Sequence, residues 1–182
     1  MNKIVVGAVL TTALVLSGCA SDKSRSPYAD KRVDVVSELE AARKPLFDKL
    51  VDPLDQAQPI ISASFANIDD LTSSSTFGRM VSEVISAGLT DRGYQVIEVK
   101  MRDSLFIKQG AGEFMLSRKI RNLSNEYDAQ AVLLGTYAIG GTNLYVNARL
   151  VRTTDNIILG SHDFVLPLNK DLKHLLGVNS RR

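Results

Sequence analysis

The last third of the chain carries the pattern that most constrains its fold. Residues 131–137 are apolar at nearly every position, as expected for a strand buried on both faces of a sheet. Gly140-Gly141 predicts a tight turn, and residues 144–151 then alternate between apolar side chains and polar or aromatic ones. A second turn at 154–156 leads into a third apolar segment that ends at Pro167. The pattern predicts a β-meander with one mixed face.

The middle of the chain predicts strands alternating with helices. Residues 60–65, 94–99 and 105–107 favour strands, and Gly93 ends a helix between the first two. That helix is predicted from apolar residues at helical spacing, namely Phe77, Met80, Val81, Val84, Ile85 and Leu89. After a break at 110–112, a second stripe consists of Leu116, Ile120, Leu123 and Tyr127. The expected fold is an α/β (α+β) sandwich, with a mixed β-sheet, helices packed mainly on one face and a C-terminal antiparallel β-meander. Its core should include Phe65, Val84, Leu89, Leu134 and Val146.

The first nineteen residues have the pattern of a secretory signal. A short basic start precedes an apolar run from Ile4 to Leu16, which is shorter than the roughly 20 residues of a spanning helix. Leu16-Ser17-Gly18-Cys19 resembles the lipobox of bacterial lipoproteins, and this resemblance implies cleavage after residue 18 and acylation of Cys19 on sulfur and nitrogen. The alternative is an ordinary signal peptide with a chance cysteine or a buried thiol. Acylation is favoured because the chain has a single cysteine, which can form no internal disulfide.

The residues after Cys19 predict how the protein is sorted and tethered. Ala20 and Ser21 stand where an aspartate would retain a Gram-negative lipoprotein in the inner membrane, so they favour the outer membrane. The polar segment 19–30 is predicted to be a flexible tether.

The segment 31–58 is predicted to be amphipathic and helical. Apolar residues at spacings of three and four predict a helix from about Lys31, bent or interrupted at Pro45. Such a helix near an anchor could lie on a membrane. Its mixture of acidic and basic residues favours packing on its own domain or on a partner. The main domain should then span 59–168, followed by a C-terminal tail at 169–182.

Composition argues against several functional classes. The net charge of +2, from 22 basic and 20 acidic residues, predicts no nucleic-acid partner. The two histidines, His162 and His174, form no ligand spacing with carboxylates, so neither a metal nor a cofactor is expected. Ser161-His162-Asp163 contains the residue types of a hydrolase triad, but neighbouring strand side chains point to opposite faces. The serine-rich loop 72–76 lacks the glycines and lysine of a phosphate loop and fits helix capping instead. No catalysis is predicted.

One strip of side chains is a candidate partner face. Tyr145, Asn147 and Arg149 alternate along one strand and should share a face, whereas Arg152 should lie on the other unless a bulge intervenes. An ordinary solvent-exposed face is the favoured alternative for this strip.

Several motifs together carry a family resemblance. In chain order they are Ser64-Phe65, Ser74-Ser75-Thr76-Phe77-Gly78-Arg79, Arg92-Gly93-Tyr94-Gln95-Val96, Gly112-Glu113-Phe114, Leu116-Ser117-Arg118, Gly135-Thr136-Tyr137, the segment 145–152 and Leu166-Pro167-Leu168. From Ile60 to Leu168 the chain resembles the FlgO family of flagellum-associated outer-membrane lipoproteins. It is more distantly similar to curli-secretion lipoproteins and to the amino-terminal domain of TolB-like proteins. The segment 30–59 lies outside the resemblance.

The resemblance implies a non-enzymatic lipoprotein on the periplasmic side of the outer membrane. It would support flagellar assembly, stability or motility through contacts with basal-body or other envelope proteins, and a homo-oligomer is compatible with this. The alternative is a general envelope-assembly or secretion-associated lipoprotein of the curli-secretion or TolB-like kind. An export pore is disfavoured because Tyr94 to Lys108 is too short for two membrane-crossing strands.

Overall fold

The computed structural model describes residues 34–99, 106–109, 113–116 and 118–178. In these ranges the helices are α1 Val35–Phe47, α2 Thr76–Thr90, α3 Arg118–Glu126 and α4 Lys170–Leu175. The strands are β1 Ile60–Ala63, β2 Ala66–Asn67, β3 Val96–Val99, β4 Phe106–Gln109, β5 Glu113–Leu116, β6 Ala131–Ile139, β7 Asn143–Arg152 and β8 Ile158–Pro167.

Strand β6 is central to the main sheet, whose order is β3-β1-β6-β7-β8 with β2 also beside β6. β1 runs parallel to β3 and β6, whereas β6, β7 and β8 form antiparallel pairs. The Gly140 N–H donates to the Asn143 carbonyl at 2.8 Å and closes the first turn of the meander. The mixed sheet and the C-terminal β-meander are therefore confirmed.

Helices cover the two faces of this sheet unequally. On the first face, α1, α2 and α4 pack over strand residues such as Ile60, Leu133 and Leu150. On the second face, Ile120 of α3 packs on a smaller cluster. The strand residues of that cluster are Ile61, Ala63, Val132, Leu134 and Val151. Successive residues of β6 thus enter different clusters, which confirms both the central strand and the helices mainly on one face.

The predicted core residues are largely buried. Phe65, Leu89 and Leu134 are fully buried and Val146 nearly so, while Val84 is only partly buried at the margin of the first-face core. The position of the Phe65 ring requires a glycine at residue 135 of the neighbouring strand. A Cβ on Gly135 would lie 2.1 Å from Cε2 of the Phe65 ring, so the ring occupies space that any side chain at 135 would need.

Helix α1 belongs to the same core as the sheet. Asp34 caps it, because its carboxylate accepts hydrogen bonds from the N–H groups of Val36 at 3.1 Å and Ser37 at 3.3 Å. Hydrogen bonding from Ser37, and to a smaller extent from Val36, lowers the pKa of Asp34 below its usual range. Pro45 lies in the last turn, and the helix ends two residues later at Phe47. The sequence favoured packing of this segment on its own domain or on a partner, and in the structure it packs on its own domain. Its buried residues are Val35, Leu39, Ala42, Leu46 and Phe47.

Two arginines fasten α1 to α2. Arg43 Nε donates to the Val84 carbonyl at 2.8 Å, and the Arg43 side chain crosses α2 at Gly88, where a Cβ would lie 2.8 Å from Arg43 Cδ. Arg92 reaches back to Asp48 at 2.8 Å and places its guanidinium 5.3 Å from the centre of the Phe47 ring. The C-terminal half of α1 is therefore held to the α2 region at two places, namely Arg43 and the end of the helix at Phe47 and Asp48.

The boundaries around α3 differ from the prediction. Leu116 lies in β5, which pairs antiparallel with β4, and not in the predicted helical stripe. Helix α3 begins at Arg118, buries Ile120 and ends before Tyr127, which is exposed. A spacing of four residues places side chains on one face of a strand as well as of a helix, so Leu116 and Ile120 fit both structures.

The segment after Pro167, predicted as a tail, contains a short helix. The Asn169 side chain accepts a hydrogen bond from the Leu172 N–H at 2.8 Å and caps α4. Leu172 and Leu176 are buried in the first-face core. Burial of these two leucines is what fixes a helix too short to be stable alone.

Candidate partner-binding face

One end of the second sheet face is left uncovered by the described helices. Helix α3 covers Val132 and Leu134 at the start of β6, whereas Thr136 and Ala138 farther along the same strand line a shallow depression. Strand register brings side chains of β7 and β8 to the same surface. We call this surface the open face, formed by Thr136, Ala138, Tyr145, Asn147, Arg149, Ser161, Asp163 and Val165, with Ile68 at its rim.

The open face is apolar at its centre. Tyr145 and Val165 are each 51% exposed and are cross-strand partners, and Ile68 beside them is 43% exposed. The depression between them has a volume of about 290 Å³. Tyrosine and aliphatic side chains grouped on a surface are typical of the centre of a protein interface.

Polar groups border this apolar centre. Asn147 lies opposite Asp163 in the β7–β8 register, and its side-chain amide donates to the Asp163 carboxylate. Arg149 is half-buried opposite Ser161, and within the described ranges its guanidinium forms no ion pair or hydrogen bond. Tyr145, Asn147 and Arg149 thus share one face as predicted; their role in binding stays a prediction.

Arg152 lies on the first-face side, where it forms ion pairs within the domain. It pairs with Asp52 at 2.5 Å and with Asp155 at 2.7 Å. The hydrogen bond from Arg152 is the main cause of the lowered pKa of Asp155. Although a register shift is present beside Leu150 and Val151, Arg149 and Arg152 remain on opposite faces, so they form no joint basic patch.

The two sequence motifs that suggested chemistry have structural roles. His162 and the pair Ser161 and Asp163 alternate along β8, and the His162 ring stacks on Phe164 at 5.9 Å between centroids. In the serine-rich loop, Ser75 caps α2 by accepting from the Gly78 N–H at 3.2 Å. Among the residues described, no His, Cys, Asp or Glu cluster of three or more is placed to hold a metal ion.

Sequence reasoning missed the apolar members of the open face. Val165 reaches it because a bulge at Leu159 shifts the β7–β8 register by one residue. Without the bulge, the pairing Val151 with Ile158 would continue to Tyr145 with Phe164. Gly160, next to the bulge, is the one local signal that could have indicated it, because an isolated glycine inside a strand often marks a bulge. Cys19, the predicted lipidation site, lies outside the described residues, and its acylation stays a prediction. No helix in the described part of the chain is both long and apolar enough to span a membrane.

Comparisons with known proteins concern the family and the fold of the chain. The family profile described as FlgO protein matches residues 40–171, so the match begins within α1, earlier than the resemblance seen from Ile60. A search of curated protein sequences gives no match.

Solved structures share the fold at low sequence identity. The LpoB C-terminal domain from Salmonella enterica has a TM-score of 0.50 and 14% identity, covering 72% of this chain and 99% of that domain. The NMR structure of E. coli LpoB has a TM-score of 0.49 and 13% identity, covering 90% of this chain and 84% of that one. PelC from Paraburkholderia phytofirmans has a TM-score of 0.42 and 16% identity, covering 64% and 76%. The likeness to the Salmonella LpoB domain concerns the fold alone.

Proposed function

Because the chain belongs to the FlgO protein family, we propose that it is a non-enzymatic outer-membrane lipoprotein that supports flagellar assembly, stability or motility through protein contacts at the flagellar base. The family match over residues 40–171 carries this proposal. Membership of this family supports an envelope-associated protein. The flagellar role, the outer membrane and the periplasmic orientation are parts of the proposal.

The N-terminal sequence supports the anchor. Cys19 is the chain's single cysteine and stands at the end of a lipobox-like Leu16-Ser17-Gly18. Each fatty chain contributes about 0.8 kcal/mol per buried CH₂, so two or more chains hold a protein on a membrane permanently. Ala20 and Ser21 favour the outer membrane over retention in the inner one.

The open face supports action by contact. It presents Tyr145 and Val165 as exposed apolar neighbours, bordered by Arg149 and by the bonded pair Asn147 and Asp163. An aromatic centre with a polar border is the composition of a protein–protein interface. The same surface brings no nucleophile and base within reach of each other, because His162 lies on the opposite side of β8 from Ser161.

The contact can be tested with a single side chain. Replacing Tyr145 by Ser removes an exposed aromatic ring without disturbing the buried core. Loss of a central tyrosine at an interface typically costs 2 kcal/mol or more, equivalent to about a thirty-fold loss of affinity. In a strain lacking the gene, the variant Tyr145→Ser should restore swimming poorly. The matched control is Tyr127→Ser, because Tyr127 is 44% exposed outside the open face and should be dispensable.

The readouts are swimming on soft agar and electron microscopy of flagella, at equal protein abundance. Deletion should impair swimming without blocking flagellin export. Normal swimming of the deletion strain, while the protein is expressed in its parent, would contradict the flagellar role and favour general envelope assembly. Full rescue by both tyrosine variants would contradict the assignment of the contact to the open face.

A further inference from the structure

Strand β8 presents one edge of the main sheet. The Leu168 N–H donates to the Thr142 carbonyl at 2.8 Å, which makes Thr142 and Leu168 a hydrogen-bonded pair. Because such pairs recur at every second residue, Phe164 and Leu166 direct their backbone groups towards β7. The backbone groups of the intervening residues, Ser161, Asp163 and Val165, therefore point away from the sheet.

Only one end of this edge is covered by described residues. The Val51 N–H donates to the Leu159 carbonyl at 2.8 Å, at the bulge. Among the described residues no backbone partner is found on the outer side of Ser161, Asp163 or Val165. The edge ends at Pro167, which has no N–H. Exposed edge strands are commonly protected by charged side chains, but here the only carboxylate, Asp163, already accepts from Asn147.

We propose that this edge pairs antiparallel with β8 of a second copy of the chain, centred on Phe164. Several two-fold registers bring the outward backbone groups into line. Centring on Val165 or farther along the strand limits the pairing to residues 163–167 or fewer and forms at most about four backbone hydrogen bonds. Centring on Asp163 places two carboxylates opposite each other. Centring on His162 drives the second strand into Val51, which already occupies the Leu159 carbonyl.

The register centred on Phe164 avoids both conflicts. It places Asp163 opposite Val165 of the second copy, and Ser161 opposite Pro167 of the second copy. Each strand therefore ends opposite Ser161 and stops short of Val51. The pairing forms about six backbone hydrogen bonds, with Pro167 contributing only its carbonyl. The two Phe164 rings meet across the axis and extend the stacked row that each forms with His162.

Symmetry is the reason for choosing a second copy over an unrelated strand. Edge-to-edge antiparallel pairing has a two-fold axis perpendicular to the sheet, so equivalent faces of both copies lie on the same side. Both α1 helices, which connect to the N-terminal residues, are then on one side of the joined sheet. Two anchored chains can therefore reach the same membrane. Both open faces lie on the other side and become continuous, because Val165 of each copy adjoins Asp163 of the other. Only this anchor argument rests on the proposed lipidation; the pairing does not rest on the flagellar role.

The first test removes one outward donor. Val165→Pro deletes an N–H that points away from β7, so the β7–β8 ladder is retained. The matched control, Val165→Thr, keeps the N–H and the branched shape. Light scattering on the full-length protein extracted in mild detergent should give two chains for the native protein and the threonine variant. The proline variant should show half that protein mass. A single-chain mass for the native protein would overturn the proposal and leave the proposed flagellar role untouched.

The second test fixes the register and does not depend on the proline variant folding. Phe164→Cys places two sulfurs at the two-fold axis, where facing Cβ atoms are about 4.5–5.5 Å apart. Oxidation of membranes from cells expressing this variant should give a reducible band at twice the chain mass. Ser161→Cys is the control, because the proposed register separates the two copies of residue 161 by about 20 Å along the strand. Cross-linking through residue 161, or none through residue 164, would overturn the register.

Discussion

Substitution of Gly135 by Ala tests the close contact at the centre of the sheet. A Cβ at this position would lie 2.1 Å from the Phe65 ring and 2.2 Å from the Asn147 carbonyl oxygen. Both distances are more than an ångström shorter than ordinary contact. The ring can rotate only within a fully buried site, and the carbonyl belongs to the adjacent strand β7. Overpacking of a well-packed core costs about 1–3 kcal/mol, and a backbone partner places this case at the upper end.

The matched control is Gly141→Ala. A Cβ on Gly141 meets nothing within 4 Å, so the same chemical change should leave stability within about 0.5 kcal/mol. Urea denaturation of a soluble fragment beginning at Ser26, which omits Cys19, measures both variants. We expect this fragment to fold without metal or reductant.

A double-mutant cycle separates the two contacts of Gly135. Phe65→Leu removes the aromatic ring, so adding it to Gly135→Ala should cost less than the sum of the single changes, with a coupling of about 1 kcal/mol. The coupling cannot recover the whole loss, because the Asn147 carbonyl remains in place. If Gly135→Ala denatures at the same urea concentration as Gly141→Ala, the packing of Phe65 over β6 is refuted.

Three further predictions concern the core, the anchor and pH. Leu134→Ala should lower the free energy of unfolding by about 2–5 kcal/mol, measured by urea denaturation, because Leu134 is fully buried under α3; an unchanged midpoint would refute its central position. Cys19→Ala should abolish fatty-acid labelling and release the protein from membranes. Ala20→Asp should move the protein to the inner-membrane fraction on density gradients. For each variant, fractionation unchanged from that of the native protein would refute the prediction. The hydrogen bond from Arg152 lowers the pKa of Asp155 in the folded protein below its usual value of 3.8. The ionised Asp155 carboxylate therefore stabilises the fold above pH 3.8, and this stabilisation is lost as the pH falls through the lower pKa of the folded state. The variant Asp155→Asn lacks this carboxylate, so its free energy of unfolding should fall less steeply than that of the native protein below about pH 4. An identical pH dependence of unfolding in the two proteins would contradict this.

Local patterns in the sequence predicted much of the fold because each pattern has a local cause. The alternation along β7 follows from burial of every second residue, and Gly93 ends the α2 segment with a positive φ of 85°. Asn169 could have indicated α4, because asparagine is a favoured N-cap whose side chain accepts from the backbone N–H three residues on, here that of Leu172. The difference at Leu116 arises because spacing by four does not separate a helix from a strand.

The remaining features depend on contacts between distant parts of the chain. Gly135 is required by Phe65, and Gly88 is required by Arg43 from α1. Neither pair is recognisable from one sequence, because nothing local links a glycine to the side chain that crosses it. The open face has the same origin. Tyr145 and Arg149 followed from alternation along one strand, whereas Val165 lies beside Tyr145 only because of the bulge at Leu159.

The position of α1 connects the proposed anchor to the proposed contact surface. Helix α1 packs on the first face and is held to α2 by Arg43 and Arg92, whereas the open face lies on the other side of the sheet. Residues 19–33 can span at most about 50 Å, so an anchored domain remains close to the membrane. A module held at this range has an effective concentration for nearby partners of roughly millimolar order. A lipid at Cys19 would connect through α1 on the first-face side, so under the proposed function the membrane need not compete for the open face. Under the proposed function, a partner that is itself fixed at the envelope could therefore bind through weak individual contacts, and we expect loss of the tether to impair swimming as much as loss of the open face.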